Sequence, residues 1–507
     1  MGLVTPVEPV PLGDLGRVHF AGIGGAGMSG VARIMLARGA AVSGCDAAAS
    51  SQLDELAALG AQVCVGHSAG HLSSADTLVM SSAIRADNPE LVQARRMGMR
   101  VLHRAAALAC VMLGRQCVAV AGTHGKTTTT SMITTVLRRC GADPAYVIGG
   151  ILAETGLGAA EGGGRAFVAE ADESDGSFLM LSPDAAVVTS VEADHLDNYG
   201  DLAEIEAAFE AFAARITPGG LLVTCADDAG ASKVAASALA RPAAALRSVS
   251  YGESPGADYR LTAVTPAGMA TEFELTPGGR SVRAGRGSVR LRVEVPGRHN
   301  ALNAAAAYAA ATELGFGHDG IAAGLAGYRG ARRRMEPKGN ADGVRVLDSY
   351  AHHPTELAAD LGAARDIAEG GRVIVVFQPH LFSRTRIFAS QFGAALGLAD
   401  ESFVLDVYAA REDPEPGVTG AMVADAVPGG RAVFCPDRRV LPALIADSAK
   451  PGDIVLTMGA GDVTKLGPLI VAALRRRADR GSAVSDTVAS YTATDGMRYD
   501  ATGDGGR

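Results

Sequence analysis

The sequence predicts an α/β protein, and three stretches carry that expectation. Near the start, Val18–Ala21 enters G-x-G-x-x-G at Gly22, Gly24 and Gly27; at mid-chain, Val118–Ala121 enters G-T-H-G-K-T; late in the chain, Val344–Leu347, Val373–Phe377 and Ile454–Met458 each run into polar or glycine residues. An apolar run, a loop and a helix make the unit from which parallel sheets with helices on their faces are built. A chain of 507 residues, 48% hydrophobic, has room for about three such domains.

Composition narrows the function classes. A net charge of −9 argues against a nucleic-acid surface, and the arginine triplets 332–334 and 475–477 are too short to reverse this, so small-molecule partners are expected. The seven cysteines are scattered without a C-x-x-C pair, which suggests neither a zinc site nor a disulfide framework; they read as packing residues of a reducing compartment. The N-terminal lead has no basic start or apolar signal run, Pro6 spoils a myristoylation reading, and no stretch approaches the roughly 18 apolar residues of a membrane span. A cytoplasmic protein is expected.

Residues 1–16 read as a flexible lead and 17–114 as the first domain. Its strand Val18–Ala21 leads through Gly22, Gly24 and Gly27 into a helix marked by Val31, Ile34, Met35 and Leu36, and a second strand ends in Asp46. Taken alone this spells NAD, yet a nucleotide-sugar diphosphate meets the same demands: an anion on a helix N-terminus and a hydroxyl or base edge near an acid. A further strand, Leu78–Ile84, brings Ser81 and Ser82 to a strand end, where ligands gather.

The second domain, 115–333, opens on a phosphate cradle. Gly122 and Gly125 let backbone N–H groups face an anion, Lys126 supplies a point charge, and Thr127 offers a hydroxyl to Mg²⁺ at the start of a helix marked by Ile133, Val136 and Leu137. Val120 stands where the general pattern wants glycine, so the loop is a shortened variant. Two later strands, Ala166–Ala169 and Ala185–Val191, run into Glu170–Asp175 and Glu192–Asp197; carboxylates and His195 beside such a loop suit magnesium. From Tyr259 to Val295 alternating residues predict an antiparallel patch, and an alanine-rich helix follows Pro296-Gly297-Arg298-His299-Asn300, where His299 and Asn300 also suit a helix cap.

Arg332–Arg334 read either as a solvated charge run or as a functional passage into the third domain, 334–478. There Asp348–Glu356 and Gln378–Arg386 put polar groups after two strands, Phe403–Val407 adds another, and the stretch from Asp479 to Arg507 reads as a disordered tail.

In order along the chain stand G-I-G-G-A-G-M-S-G, G-T-H-G-K-T-T-T-T, A-E-A-D-E-S-D, E-A-D-H-L-D, P-G-R-H-N-A-L-N-A, Y-A-H-H-P-T-E and F-Q-P-H. Together they closely resemble the Mur ligases over about residues 17–475, and within that family the branch that adds L-alanine to UDP-N-acetylmuramate. The resemblance implies a Rossmann-like N-terminal domain for the UDP-sugar, a central P-loop ATPase with the added antiparallel patch, and a Rossmann-like C-terminal domain that closes over ATP and brings the amino acid. It implies ATP and Mg²⁺, with Mn²⁺ as a substitute, UDP-N-acetylmuramate and L-alanine as partners, a monomer or homodimer, and a role in peptidoglycan precursor synthesis.

By the same resemblance Gly22, Gly24, Gly25, Ala26, Gly27, Met28, Asp46, Ser81 and Ser82 hold the UDP-sugar. Gly122, Thr123, His124, Gly125, Lys126, Thr127, Thr128, His299, Asn300 and Arg332 hold ATP, with Thr127, Glu170 and His195 on the metal. Tyr350, His352 and Arg384 line the amino-acid end, and Lys126, Glu170, His195 and His352 are the catalytic set. The chain departs from the family at Ser349 and Ser190, where aspartate and asparagine are usual, and at Leu381, where arginine is common. It has no lysine between Lys126 and Lys233, which resembles the alanine-adding branch, since sister ligases carry a carbamylated lysine there. The implied chemistry is an acyl phosphate formed from the lactyl carboxylate and ATP, then captured by the amine. A recycling ligase that adds a whole peptide, a nicotinamide-dependent dehydrogenase and a nucleotide-sensing regulator are the competing readings.

Overall fold

A computed structural model of the chain describes residues 4–196, 198–241, 245–278, 287–410 and 412–494, with side chains through 480. The chain divides into two compact units, Met1–Arg334 and Met335–Arg507. The described residues form three sheets, and the first two share the first unit.

The first sheet contains β1 (Val18–Ala21), β2 (Val42–Asp46), β3 (Gln62–Val65), β4 (Thr77–Met80) and β5 (Arg100–His103), all parallel, in the order β3-β2-β1-β4-β5. Because β1 pairs with β2 on one side and β4 on the other, the chain reverses direction across the sheet at β1. The loop after β1 and the residues after β4 therefore open into one crevice. Helix α1 (Ala26–Ala37) starts from Gly25, α2 (Ser51–Ala58) follows β2, and α3 (Pro89–Arg96) follows β4. The last helix of this layer, α4 (Arg104–Met112), is buried from Ala105 to Met112, so no polar face is left. It packs into the core shared with the second sheet, which is why the two sheets form one unit.

The second sheet has the order β15-β14-β13-β12-β11-β10-β6-β9-β7-β8. Its centre is β6 (Gln116–Ala121), flanked in parallel by β9 (Ala166–Glu170) and β10 (Ala185–Val188). Beyond β9 come β7 (Ala145–Val147) and the antiparallel β8 (Ala159–Ala160); beyond β10 come β11 (Leu221–Cys225) and β12 (Arg247–Gly252). The expected antiparallel patch is β13 (Tyr259–Ala267), β14 (Ala270–Pro277) and β15 (Val289–Val293). Helix α5 (Lys126–Arg139) follows β6, α6 (Leu202–Ala213) and α7 (Ala229–Leu239) cover the sheet further on, and α8 (Arg298–Glu313) packs between α5 and the strands β12–β14.

Helix α5 buries hydroxyls, and Thr130 and Thr134 satisfy theirs by donating back to the carbonyls of Lys126 and Thr130 at 2.8 Å each. The third sheet, in the second unit, has the order β16-β17-β21-β18-β19-β20: β16 (Glu336–Ala341), β17 (Val344–Ser349), β18 (Val373–Phe377), β19 (Glu401–Val404), β20 (Ala432–Phe434) and β21 (Ile454–Met458). Only the β16–β17 pair is antiparallel there. Among the described residues no helix is long and apolar enough to cross a membrane.

Three expected strands are shorter than their apolar runs. The run from Leu78 turns after Met80, where the N–H of Ile84 donates to Ser81 O at 3.1 Å. That from Ala185 stops at Val188, because the Thr189 hydroxyl turns back onto the carbonyls of Ala121 and His124. The strand expected over Phe403–Val407 runs from Glu401 to Val404. From Asp479 onward the chain continues as helix, in the element Leu466–Thr494, where a disordered tail is expected from composition; residues 495–507 lie outside the described residues.

Beside the second sheet, Phe212 is fully buried and stacks on Phe178 with ring centroids 5.0 Å apart and planes within 12°. Phe212→Ala is expected to lower stability by about 3–5 kcal/mol, read as a lower urea midpoint with the slope unchanged.

Candidate active site

Parallel neighbours end at the same edge, so the loops after β6, β9 and β10 meet. The P-loop is shaped for close approach: Gly122 has φ 135° and Gly125 has φ 80°. A Cβ on Gly122 would strike the Thr189 hydroxyl, and one on Gly125 would lie 2.5 Å from Asn303 Oδ1. The neighbours that crowd the glycines also brace the loop. Ser190 Oγ accepts from His124 N at 3.0 Å, and Thr123 Oγ accepts from Glu192 N at 2.9 Å. Ser190 thus keeps a loop-bracing acceptor where asparagine is usual. His124 Nε2 lies 3.3 Å from Glu192, and Thr128 is buried below the loop.

Lys126 opens α5 and spends its ammonium donors on Gly122 O at 2.7 Å, Thr123 O at 3.1 Å and Glu173 Oε1 at 2.7 Å. Glu173 is 2% exposed, and its Oε2 is buried without a hydrogen-bond partner. Burial pushes the Glu173 carboxyl up to about 7 against the pull of Lys126. Thr127 donates to Glu170 Oε1 at 3.1 Å, while Glu170 Oε2 accepts from Gly149 N at 2.7 Å. His195, in the left-handed region at φ 51°, places Nε2 3.5 Å from Asp194 and 3.9 Å from Glu173.

Of the expected metal ligands, Thr127 and Glu170 therefore touch directly, and His195 lies against Glu173, the partner of Lys126. Hard oxygens, an imidazole, the unpaired Glu173 Oε2 and glycines that tolerate no Cβ together fit a magnesium nucleotide. Arg332 is exposed, held by its backbone N–H to Ile151 O at 2.8 Å; Arg334 is the arginine whose guanidinium reaches Thr127 Oγ, at 3.3 Å. Asn300 does not cap α8, whose N-cap is Gly297; its amide donates to Pro296 O at 2.7 Å, and its oxygen accepts from Asn303 at 3.3 Å. His299 lies in the first turn of α8.

In the crevice of the first sheet, Gly22 takes φ 80°, Gly25 precedes Ala26 at the start of α1, and Met28 is buried beneath. Asp46 accepts from Gly24 N at 3.0 Å, so the acid at the end of β2 braces the glycine loop itself. A Cβ on Gly27 would run into the Arg104 guanidinium. Arg104 in turn donates to Asp172 at 3.0 Å, Ser82 bonds Asp175, and His103 Nε2 lies 3.4 Å from Asp175. Burial opposes ionisation of Asp175, but His103, Ser177 and Ser82 hold it well below the usual carboxylate range. Ser81 lies half-buried beside Ser82.

In the second unit, Ser349 ends β17, hydrogen-bonds Asp360 and accepts from Ala351 N at 3.0 Å, bracing the turn that carries Tyr350 and His352. His352 directs Nδ1 at Tyr350 O, 3.0 Å, and lies 3.3 Å from Glu356; its ring sits 5.3 Å from Tyr350 and 6.1 Å from His380. Leu381 is buried at φ 69° and starts the helix Phe382–Leu396, which carries buried Arg384. Arg386 points to the surface and pairs with Glu415 at 2.9 Å.

Three family models match in succession: "Mur ligase family, catalytic domain" over 17–116, "Mur ligase middle domain" over 120–311, and "Mur ligase, glutamate ligase domain" over 333–461. The chain belongs to the Mur ligase family. It is 56% identical over 482 residues to a UDP-N-acetylmuramate–L-alanine ligase of Thermobifida fusca, covering 94% of this chain and all of the relative. A ligase of the same description from Acidothermus cellulolyticus is 54% identical over 473 residues, 93% of this chain and 97% of the relative. The crystal structure of the UDP-N-acetylmuramate-alanine ligase of Thermotoga maritima is similar at a TM-score of 0.74 and 30% identity, covering 92% of this chain and 99% of that one.

Glu173, Asp172, Asp175, His103, Arg104, Asn303 and Arg334 belong to the site's polar network but are not singled out in the sequence. The acids stand inside a quoted motif; only folding tells which of four neighbouring carboxylates turns to the lysine. Gly125→Ala would add strain of about 1–3 kcal/mol at a positive φ and push on Asn303. The expected result is a folded protein whose melting temperature no longer rises with ATP, measured by thermal unfolding with and without nucleotide.

Proposed function

We infer that the chain joins L-alanine to the lactyl carboxylate of UDP-N-acetylmuramate at the expense of ATP, through an acyl phosphate. The observation that carries this reading is the continuous polar seam in the first unit. It runs from the glycine loop of β1, through Arg104 and Ser82, to Asp172 and Asp175, and on to Glu173 and Lys126. A diphosphate on the N-terminus of α1 and a triphosphate on the N-terminus of α5 would meet along it. The names of the relatives that match this chain over nearly its full length support the choice of sugar nucleotide and amino acid.

In the first step a carboxylate oxygen of the lactyl group attacks the γ-phosphorus, and ADP leaves. Lys126 exchanges a protein acceptor for phosphate oxygen and offsets the charge spread over the transferring group. Thr127, Glu170, Glu173 and His195 would hold Mg²⁺, which neutralises phosphate charge when bound. In the second step the alanine amine attacks the acyl carbon, and phosphate leaves. His352, whose ring is oriented by Nδ1 donating to Tyr350 O, suits the amine proton. Arg384, a planar fork on a buried helix turn, suits the amino-acid carboxylate. Unpaired cysteines throughout the described residues support a reducing, cytoplasmic setting.

The reading is tested by ADP release with UDP-N-acetylmuramate and alanine, serine, glycine or a tripeptide in turn; turnover with the tripeptide alone would overturn it. Lys126→Ala is expected to lower kcat by about 10²–10³-fold while UDP-sugar binding, followed by calorimetry, is unchanged. Arg384→Ala is expected to raise the KM for alanine by about 10- to 100-fold, with the KM values for ATP and UDP-sugar nearly constant.

A further inference from the structure

Beneath the glycine loop of the first sheet, away from the P-loop, lies a second cluster of metal-ligating side chains. His19 comes from β1, Cys45 from β2, His71 from the short helix Ala69–Ser74, and Glu90 from α3. His19, Cys45 and Glu90 are at most 2% exposed, and one donor atom from each of the four residues lies within 4.8 Å of every other. His67 flanks them, with Nδ1 3.0 Å from Cys45 Sγ.

Hydrogen bonding alone accounts poorly for this arrangement. Cys45 Sγ has one proton, yet it sits 2.9 and 3.0 Å from both Glu90 oxygens. His71 Nδ1 is 2.7 Å from Oε1, and His67 Nδ1 is 3.3 Å from Oε2. His19 Nδ1 is engaged by Ser43 Oγ at 2.9 Å, which fixes the ring so that Nε2 faces the cluster; that Nε2 is buried, 3.7 Å from Glu90 Oε1, and has no hydrogen-bond partner. Glu90 is fully buried, and among the described residues its ion-pair partners are histidines only, with no lysine or arginine. A fully buried carboxyl group ringed by imidazole and thiol donors, with no lysine or arginine among its described partners, has the make-up of a cation's coordination sphere.

We propose that His19, Cys45, His71 and Glu90 form a structural site for a borderline-soft divalent cation, with zinc as the fitting ion. Thiolate, imidazole and carboxylate are its ordinary ligands, and four such donors about its radius stand roughly 3.3–3.8 Å apart, a spacing that small side-chain rotations reach from the present one. Ser43 supplies the outer hydrogen bond that orients a metal-bound histidine. On binding, the Cys45 thiol loses its proton to solvent and a sulfur–metal bond forms, with no change of oxidation state. The four ligands close the site to water, so its role is to pin β1, β2 and α3 together. Cys45 O also accepts from Gly22 N and Ile23 N at 2.8 and 2.9 Å, and Asp46 follows it, so the pin lies directly beneath the glycine loop.

The test uses the full chain carrying Cys64→Ser, which removes the exposed thiol of the neighbouring strand, in excess Mg²⁺ to occupy hard-oxygen sites. Co²⁺ is titrated and the absorption spectrum recorded; Zn²⁺ retained after dialysis is measured by elemental analysis. The expected results are a thiolate-to-cobalt charge-transfer band with tetrahedral visible bands, stoichiometric zinc, and a melting temperature raised by Zn²⁺. Cys45→Ser should abolish the charge-transfer band. His71→Ala, at the most exposed of the four positions, should keep the band but weaken Co²⁺ and Zn²⁺ binding at least tenfold. Absence of the band in the parent protein, its persistence in Cys45→Ser, or unchanged affinity in His71→Ala would overturn the site.

Discussion

The ion pair between Lys126 and Glu173, 2.7 Å long and largely shut off from water, is the contact on which the glycine loop after β6 and its neighbouring loops depend. A buried ammonium is tolerable only if its donors are met, and two are met by carbonyls of the loop that it closes. The lysine therefore shapes the loop as well as charging it. Glu173 has a second dependence: its backbone carbonyl accepts from the buried Tyr199 hydroxyl, which ties the loop after β9 to the segment after β10. Loop, acid and following segment hold one another.

The same economy joins the first two sheets. His103 and Arg104 end β5 and begin α4, the helix whose apolar body is buried in the shared core. Their polar heads reach Asp175 and Asp172, so hydrophobic packing on one side of α4 sets the position of charges on the other. Rigid placement of this kind is what an in-line transfer between two bound anions requires.

Much of this was legible in the sequence because it rests on local rules. Apolar runs ending in glycine or polar residues gave the right strand order of events, and Val373–Phe377 and Ile454–Met458 agree with the observed strands residue for residue. The glycine loops could be read since few other residues suit their backbone. What escaped was set by contacts far apart in the chain: the turn of Glu173, among neighbouring acids, onto Lys126, the reach of Arg334 to Thr127, and the strand ends turned early by Thr189 and by Ser81. The cluster around Glu90 escaped for the same reason. Its residues are 19, 45, 71 and 90, a spacing with no motif, brought together by the crossovers of the sheet.

Helix α8 carries a consequence for how this protein can change. From Ala304 to Ala307 and again from Ala309 to Ala311 its residues are wholly buried, in a helix packed against α5, α9 (His318–Gly327) and the strands of the sheet, where close packing leaves little room for larger side chains. Any larger side chain would have to push the phosphate-binding helix away from its strands. Enlargement is therefore disfavoured here by packing. Over evolutionary time these alanines should drift as little as the charged residues of the site, and a comparison of relatives that equated invariance with chemistry would count them among the catalytic groups.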